Sequence, residues 1–235
     1  MKLILNKKPK KVRIIEGFPG FGLIGTIATE YLMEHLDTEK IGVVEMEEVP
    51  AMVAIHQNKV IEPMSIHYNK KHNLVLVHAI NVAPNLGWKV ADIISELATK
   101  LDAKEIISLE GVGSPNPSQS RVFYYSSKGK SAEKGLKGTA LPLVEGIIVG
   151  VTGALLSKNI STPILALFAE AKSNLPDSKA AAEIIKALDA YTGMDIDPGP
   201  LKKQAKEFEQ KLKSLLSKKK DAGSLQQKKN LSYVG

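Results

Sequence analysis

The sequence predicts an α/β fold with a mainly parallel central sheet and helices on both faces. Short β-rich runs alternate along the chain with stretches of helical periodicity, which is the pattern of strands linked by crossover helices. The run Leu74–Ile80 is apolar throughout, as in a strand buried on both faces. The chain has 235 residues, 43% of them hydrophobic, which is enough for a substantial core. We expect residues 1–192 to form this α/β domain.

The first half of the chain supplies three strands, one helix and a hairpin region. Val12–Glu16 is a β-rich run, and after a glycine loop the apolar spacing predicts a helix over Thr26–Leu36. Ile41–Met46 is the next predicted strand. Short apolar runs between residues 52 and 68 are separated by turn residues and predict hairpins. The buried strand Leu74–Ile80 follows them.

The second half continues the alternation. Apolar residues three and four apart predict a helix over Trp88–Leu101, and Gly111–Ser120 is a loop because it is rich in glycine and proline. Gly193 and the turn that follows it end the alanine-rich last helix. The other predicted elements are strands at Glu105–Glu110, Val122–Tyr125 and Pro163–Phe168, a short helix near Leu155 after the run Gly146–Val149, and the last helix at Lys179–Tyr191.

The segment beyond this domain has a different pattern. Residues 193–217 predict a C-terminal amphipathic helix, because apolar residues recur four and three apart. A helix this short is marginal alone in water, so its apolar seam must pack against something. We predict that the seam forms subunit contacts in a homo-oligomer, with packing on its own domain as the alternative. The seam consists of Leu201, Ala205, Phe208, Leu212 and Leu215.

Charge is concentrated at the C-terminal end of the chain. The net charge of the chain is +7, and residues 201–235 carry all of it, since they hold ten lysines and three acids. Residues 218–235 are predicted to form a flexible basic tail. The neutral folded part and the low aromatic content of 5% argue against a nucleic-acid-binding domain. The tail is instead suited to attract a protein partner with an acidic surface.

The rest of the composition narrows the class of protein. No apolar run is long enough to span a membrane, and the first residues lack the apolar core of a signal peptide. The chain contains no cysteine, which excludes disulfides, cysteine nucleophiles and thiolate metal sites. We therefore expect a cytoplasmic protein that binds neither membrane nor nucleic acid.

A glycine-rich motif lies between the first predicted strand and helix. The spacing of Gly20, Gly22 and Gly25 matches a dinucleotide-binding loop, and Glu45 lies where such a site needs its ribose-binding acid. Phe18 and Phe21, however, would crowd a pyrophosphate, and the loop begins too early for a tight strand–turn–helix. A nucleotide-binding enzyme is therefore the alternative hypothesis. The other hypothesis is that these glycines permit a sharp turn and close helix–sheet packing.

Three Glu-Gly pairs lie at or near predicted strand ends, namely those that begin at Glu16, Glu110 and Glu145. Clustered carboxylates at one sheet edge could hold Mg²⁺ or act as acid and base, but Glu-Gly pairs are also common in turns. The histidines show no helical metal-binding spacing, and neither a nucleophile elbow nor a P-loop is present. We expect no catalytic residue, no cofactor and no metal site.

The glycine motif and two later segments together resemble a known family. The run Ile15–Gly25 is similar to the opening of the proteasome assembly chaperone 2 family, and Glu110–Gly113 and Gly146–Leu156 are similar to its later motifs. The resemblance covers about residues 10–192 and points to an archaeal member. It implies an α/β fold similar to nucleoside phosphorylases, no catalysis, a homo-oligomer (a tetramer or a pentamer), and binding to the proteasome core particle.

The resemblance also suggests a role for the C-terminus. Proteasome activators of several kinds end in a hydrophobic residue, a tyrosine and one further residue, and this tail docks between α-subunits. Here the tyrosine is third from the end, so its register is shifted. We predict a non-enzymatic chaperone or activator whose tail binds the α-subunits; a plain oligomeric scaffold is the third hypothesis. The predicted docking residues are Leu231, Ser232, Tyr233, Val234 and Gly235.

Overall fold

The predicted strands and helices occur in the predicted order, and the structure adds three elements that were not predicted, at Lys2–Leu5, Glu133–Leu136 and Leu141–Pro142. The computed structural model describes residues 1–56, 58–113, 120–158, 160–171, 174–201 and 203. Its strands are β1 (Lys2–Leu5), β2 (Arg13–Gly17), β3 (Thr38–Glu45), β4 (Ala54–His56), β5 (Lys59–Ile61), β6 (Met64–Asn69), β7 (Leu74–Ala79), β8 (Glu105–Gly113), β9 (Val122–Ser126), β10 (Leu141–Pro142) and β11 (Ile164–Ala171). Its helices are α1 (Ile24–His35), α2 (Gly87–Leu101), α3 (Glu133–Leu136), α4 (Gly150–Ser157) and α5 (Ser178–Thr192).

Nine of these strands form one mixed sheet in the order β1-β3-β6-β7-β2-β8-β11-β9-β10, and β4 pairs with β5 in a separate hairpin. Only β7, β2, β8 and β11 form a continuous parallel block. On one side β1, β3 and β6 pair antiparallel, and on the other β9 is antiparallel to β11. The expectation of a mainly parallel sheet is therefore wrong. A four-residue turn joins β6 to β7, and so short a connection produces antiparallel neighbours.

Helices cover both faces of the sheet, as predicted. Alternate side chains of β2 enter different cores: Ile15 packs with residues of α1 and α5, whereas Ile14 packs with residues of α2 and α4. This alternation is the consequence of strand geometry in a sheet buried on both sides. The α/β class is therefore confirmed, whereas the likeness to nucleoside phosphorylases stays a prediction.

The chain continues on the α1–α5 face after α5 ends. Gly193 closes the helix with a φ of 67°, and its N–H donates to the Asp189 carbonyl. Leu201 then lies fully buried in the same core as α1 and α5, and the Tyr31 hydroxyl donates to the Asp197 carbonyl over 2.7 Å. Leu201 and the Asp197 carbonyl therefore pack on the α/β domain.

Two segments expose large apolar side chains. Val144, Ile147 and Val149, between β10 and α4, are 87%, 92% and 76% exposed. Ile55 and Val60 form a second exposed pair on the β4–β5 hairpin. Contiguous exposed apolar residues of this kind are typical of surfaces that a partner covers. None of the helices that the structure describes is long and apolar enough to cross a membrane.

Candidate functional site

The glycine loop joins β2 to α1 and lies tightly on the sheet. A Cβ atom at Gly17 would lie 2.1 Å from the Gly25 carbonyl oxygen, and one at Gly111 would lie 1.8 Å from that of Phe21. These approaches are possible only where no side chain intervenes. Gly22 has a φ of 67°, in the left-handed region that favours glycine. The glycines therefore permit close packing of the loop against β8 and α1, as one of the two sequence hypotheses predicts.

Gly22→Ala is expected to lower the free energy of unfolding by about 1–2 kcal/mol, because alanine is strained at positive φ. The new Cβ would also lie 2.8 Å from the Ala171 Cβ. Urea denaturation measures the loss. Gly146→Ala is the control, because its Cβ would have no neighbour nearer than 3.5 Å. Equal stability of the two variants would contradict the prediction.

The geometry differs from that of a dinucleotide-binding site. Glu45 lies at the end of β3, and β6 and β7 separate that strand from β2 in the sheet. In a dinucleotide-binding site, the ribose-binding acid follows the strand next to the loop. Here the neighbours of β2 are β7 and β8, so Glu45 lies three strands away. The nucleotide hypothesis thus loses the acid on which its spacing argument depended.

A cleft lies over the ends of the parallel strands, bordered by the glycine loop and the first turns of α2 and α4. Its volume is about 480 Å³, within the range of small-molecule sites. Among the residues that line it, Glu110 alone has a charged side chain; the others are mostly apolar or glycine. The lining residues are Phe18, Pro19, Gly20, Phe21, Val82, Ala83, Gly87, Glu110, Gly111, Val112, Ile147, Ile148, Val149, Gly150, Val151 and Phe168.

A small polar network holds the Glu110 carboxylate. Its Oε1 accepts a hydrogen bond from the Thr152 hydroxyl over 2.7 Å, and the Thr152 and Ser108 hydroxyl oxygens are 2.5 Å apart. Thr152 lies in the first turns of α4, and Ser108 precedes Glu110 by two residues on β8, so both strand residues face α4. Burial raises the pKa of Glu110 to about 7, and the Thr152 hydrogen bond opposes that rise.

Glu16 lies beside this network without a partner of its own. It is fully buried, and neither of its carboxyl oxygens has a hydrogen-bond partner within the described ranges. Its backbone pairs with Ser108 across β2 and β8. Burial, and then the nearby Glu110 carboxylate, raise the pKa of Glu16 well above its ordinary value, and the nearby Ser108 hydroxyl partly offsets this. Two acids in an apolar setting are therefore costly to ionise together.

Glu110→Gln is expected to stabilise the protein near pH 8 and to change little near pH 4. The folded-state pKa of Glu110, about 7, exceeds the ordinary 4.5. The folded state therefore retains a proton that the unfolded state releases, and the free energy of unfolding falls as pH rises through this interval, by about 1–3 kcal/mol. Glutamine cannot ionise and escapes that loss.

Urea denaturation at both pH values measures this difference. Glu145→Gln is the matched control, because Glu145 is exposed and shows no link to this network. An unchanged pH dependence in Glu110→Gln would show that the carboxyl ionises as readily in the folded state as in the unfolded chain.

The sequence of the chain matches the profile of the PAC2 family over residues 14–216. This span exceeds four-fifths of the chain and includes the glycine loop, Glu16, Glu110 and the helices on either face. The chain belongs to the PAC2 family. The resemblance that the sequence motifs indicate is thereby confirmed.

Two solved PAC2-type structures are similar over most of this chain. Pyrococcus furiosus PbaA, an archaeal homolog of proteasome-assembly chaperone, is 27% identical with a TM-score of 0.82, and the match covers 94% of this chain and 98% of PbaA. Pyrococcus furiosus PbaB, an archaeal proteasome activator, is 25% identical with a TM-score of 0.75, and the match covers 91% and 98%. The protein MJ0106 of Methanocaldococcus jannaschii is 26% identical over 86% of this chain and 84% of its own length.

In this PAC2 protein, two of the three predicted Glu-Gly acids come together and the third does not. Glu16 and Glu110 lie on adjacent parallel strands, so their side chains meet at one sheet edge. Glu145 lies in the exposed segment after β10. Sequence reasoning missed Ser108 and Thr152, because a single hydroxyl residue on a strand or helix carries no motif.

Histidines form no common site in the described ranges, where no group of three or more histidine and acidic residues could hold a metal ion. His78 is buried on the α1 face, where its Nδ1 lies 2.9 Å from the Thr29 hydroxyl oxygen. His67 hydrogen-bonds the Ser65 hydroxyl on β6, and burial lowers its pKa to about 4. These groups stabilise the fold around the parallel block.

The predicted partner-binding residues fall outside the described residues. Those residues are Leu231, Ser232, Tyr233, Val234 and Gly235. The same holds for four positions of the apolar seam, which are Ala205, Phe208, Leu212 and Leu215. The fifth, Leu201, is buried within its own subunit, so the seam begins by packing on the domain. Its contact with a second subunit stays a prediction.

Proposed function

We propose that this chain is a non-enzymatic proteasome assembly chaperone or activator that acts in the cytoplasm. The observation that supports this most directly is a match over more than nine-tenths of the chain to both PbaA and PbaB. PbaA is described as a homolog of proteasome-assembly chaperone, and PbaB is described as a proteasome activator. Both have the same fold as this chain. The partner in this proposal is the ring of α-subunits of the proteasome core particle.

Charge distribution supports docking through the C-terminal tail. The α/β domain is neutral, whereas residues 201–235 carry the entire net charge of +7. Such a segment attracts an acidic surface over a Debye length of about 8–10 Å at ordinary salt. Beyond it, Tyr233 and the terminal carboxylate offer an aromatic group and an anion to a pocket that contains a basic residue.

Multiple tails on one oligomer would make weak single contacts sufficient. Linking several binding segments raises the overall affinity by the effective concentration of each further tail, without any new contact. A tetramer or a pentamer would present four or five tails to one α-ring. The proposed homo-oligomer and the proposed docking mode therefore support each other.

The exposed apolar segment offers a second surface for subunit contacts. Val144, Ile147 and Val149 are more than three-quarters exposed in the isolated chain. Burying apolar surface contributes about 25 cal/mol per Å², so this segment is a source of association energy, whereas Leu201, the first residue of the seam, is already buried.

Two double variants distinguish these surfaces. If the seam forms the interface, Phe208→Glu with Leu212→Glu is expected to yield monomers in light scattering at micromolar concentration. If the segment after β10 forms it, Ile147→Asp with Val149→Asp is expected to do so instead, because burying a carboxylate without a partner is costly. Each pair serves as the control for the other. A wild-type chain that is monomeric at that concentration would contradict the oligomer itself.

Binding to the core particle is tested with purified components. The full-length chain, immobilised, is expected to retain core particles and isolated α-subunits. Assembly and activation are then separated by two readouts: the rate of core-particle formation from subunits, and the peptide hydrolysis of mature core particles. Retention of neither the particle nor the α-subunits would overturn the proposed function.

A further inference from the structure

The cleft over the parallel strands combines an apolar wall with one accessible carboxylate. Three aromatic side chains, Phe18, Phe21 and Phe168, are among its lining residues, and so is Glu110. None of the other lining residues is titratable. The cleft therefore offers a ligand one negative group and a largely apolar surround, with no cationic side chain among its lining residues.

The access to this carboxylate depends on Gly20. A Cβ atom at Gly20 would lie 3.0 Å from Oε2 of Glu110, the oxygen that Thr152 does not bind. Gly20 has a φ of −138°, an extended conformation that alanine also adopts. The backbone conformation therefore does not require glycine at position 20. The effect of glycine at this position is to leave space beside Oε2 of Glu110.

Glu16 adds an independent indication that the site lacks a positive group. It lies on the same sheet face as Glu110, is fully buried, and has no hydrogen-bond partner for either carboxyl oxygen in the described part of the chain. A buried acid is ordinarily paired with a cation or with hydrogen-bond donors. Two adjacent acids without a cation are therefore an arrangement that a positively charged ligand would stabilise.

We propose that the cleft binds a small organic cation, a primary ammonium compound with an apolar or aromatic body. The ammonium group would donate to Oε2 of Glu110, and the body would fill the space between the phenylalanines. Charge-assisted hydrogen bonds are the stronger class, and aromatic rings attract a cation held over their faces. The volume of about 480 Å³ suits a ligand of roughly this size.

An organic cation fits this cleft better than a divalent metal ion. Calcium and magnesium take six or more oxygen ligands, whereas the lining supplies one carboxylate among apolar walls. The apolar body of such a ligand also contributes favourable binding free energy when its surface leaves water. Small-molecule binding of this kind goes beyond the proposed proteasome role and does not depend on it.

The site should respond to pH in a defined direction. An ammonium group binds the ionised carboxylate, and burial raises the pKa of Glu110 to about 7. Affinity is therefore expected to increase as pH rises from about 6 to about 8, with release of a proton on binding near neutrality. Glu16, on β2, lies on the same sheet face, and the nearby Glu110 carboxylate, after burial, raises the pKa of Glu16 well above its ordinary value.

Isothermal titration calorimetry of the full-length chain with 2-phenylethylammonium tests the proposal. Saturable binding at one site per chain is expected in the micromolar to millimolar range. The neutral isostere 2-phenylethanol is expected to bind at least about tenfold more weakly, since it lacks the charge-assisted hydrogen bond. Equal binding of the two compounds, or no binding of the ammonium at millimolar concentration, would overturn the proposal.

Two variants assign the binding to this carboxylate. Glu110→Gln keeps the oxygen that accepts from Thr152 but removes the charge, and it is expected to lose at least about tenfold in affinity together with the pH dependence. Gly20→Ala places a methyl group beside Oε2 and is expected to weaken binding with the carboxylate intact. Glu145→Gln, an exposed acid after β10, is the matched control.

Each variant is first checked by its far-ultraviolet circular dichroism and thermal unfolding. Undiminished binding by folded Glu110→Gln would place the ligand elsewhere and overturn the proposal. Folded Gly20→Ala gives the independent test: wild-type affinity there, with the methyl group beside Oε2, would equally overturn it. Since no proteasome is present, a negative result here leaves the proposed function untouched.

Discussion

Deletion of the last five residues, Leu231–Gly235, is expected to abolish binding to the proteasome core particle. In the proposed docking mode, the basic stretch supplies only screened attraction, and the terminal aromatic and carboxylate supply the specific contact. If several tails of an oligomer bind one ring, as proposed, losing all of them is expected to reduce affinity by at least about a hundredfold. Surface plasmon resonance on immobilised core particles measures the change.

Tyr233→Ala and Ser232→Ala form the matched pair for this deletion. The first removes the aromatic ring and is expected to weaken binding strongly, whereas the second changes the adjacent residue and keeps both ring and carboxylate. Higher salt is expected to slow association more than dissociation. If the deletion binds as tightly as the full chain, the contact lies on the α/β domain, and the exposed segment after β10 becomes the first surface to test.

Gly111→Ala, on β8, is expected to lower the free energy of unfolding by about 3 kcal/mol or more. This is the largest effect that we expect of a single substitution where the glycine loop contacts the sheet. The new Cβ would lie 1.8 Å from the Phe21 carbonyl oxygen, and 3.0 Å from the Ile24 Cδ1. Backbone of the loop must then shift away from β8, which disturbs the start of α1. Chemical denaturation in urea measures the loss of stability.

Gly113→Ala, two residues further along the same strand, is the control. Its Cβ would meet only the Phe21 ring, at 3.4 Å or more, which is ordinary van der Waals contact. We expect it to change stability by less than about 1 kcal/mol. If both variants lose a similar amount of stability, the loss has a cause other than the contact of the new Cβ with the Phe21 carbonyl oxygen. That result would contradict the prediction.

Local patterns were sufficient to predict most of the elements but not the direction of every strand. The strand that contains Ile15 is β-rich, and the strand that contains Leu76 is a continuous apolar run. Their alternation with helices predicts the α/β class. The direction of β9 depends on its antiparallel pairing with β11, a strand much later in the chain, and local spacing carries no signal of that pairing. The edge strand β1 has too short an apolar run, Leu3–Leu5, to be recognised on its own.

The candidate site could also be predicted only in part, because local sequence patterns carry no information on tertiary contacts. Glu16 and Glu110 end predicted parallel strands, so their convergence follows from topology. Thr152 reaches Glu110 only because α4 packs over the end of β8, a tertiary fact that no spacing reveals. Gly20 likewise gains meaning only when its distance to the Glu110 carboxylate is known.

The sheet ends at β10, a strand of two residues that contains Pro142. Proline has no N–H to donate, and two residues leave almost no ladder for another strand to extend. Copies of this chain that meet beside this edge therefore cannot merge their sheets into one continuous, open-ended β-structure. A contact between copies at this edge would therefore depend on exposed side chains such as Ile147 and not on a shared β-ladder.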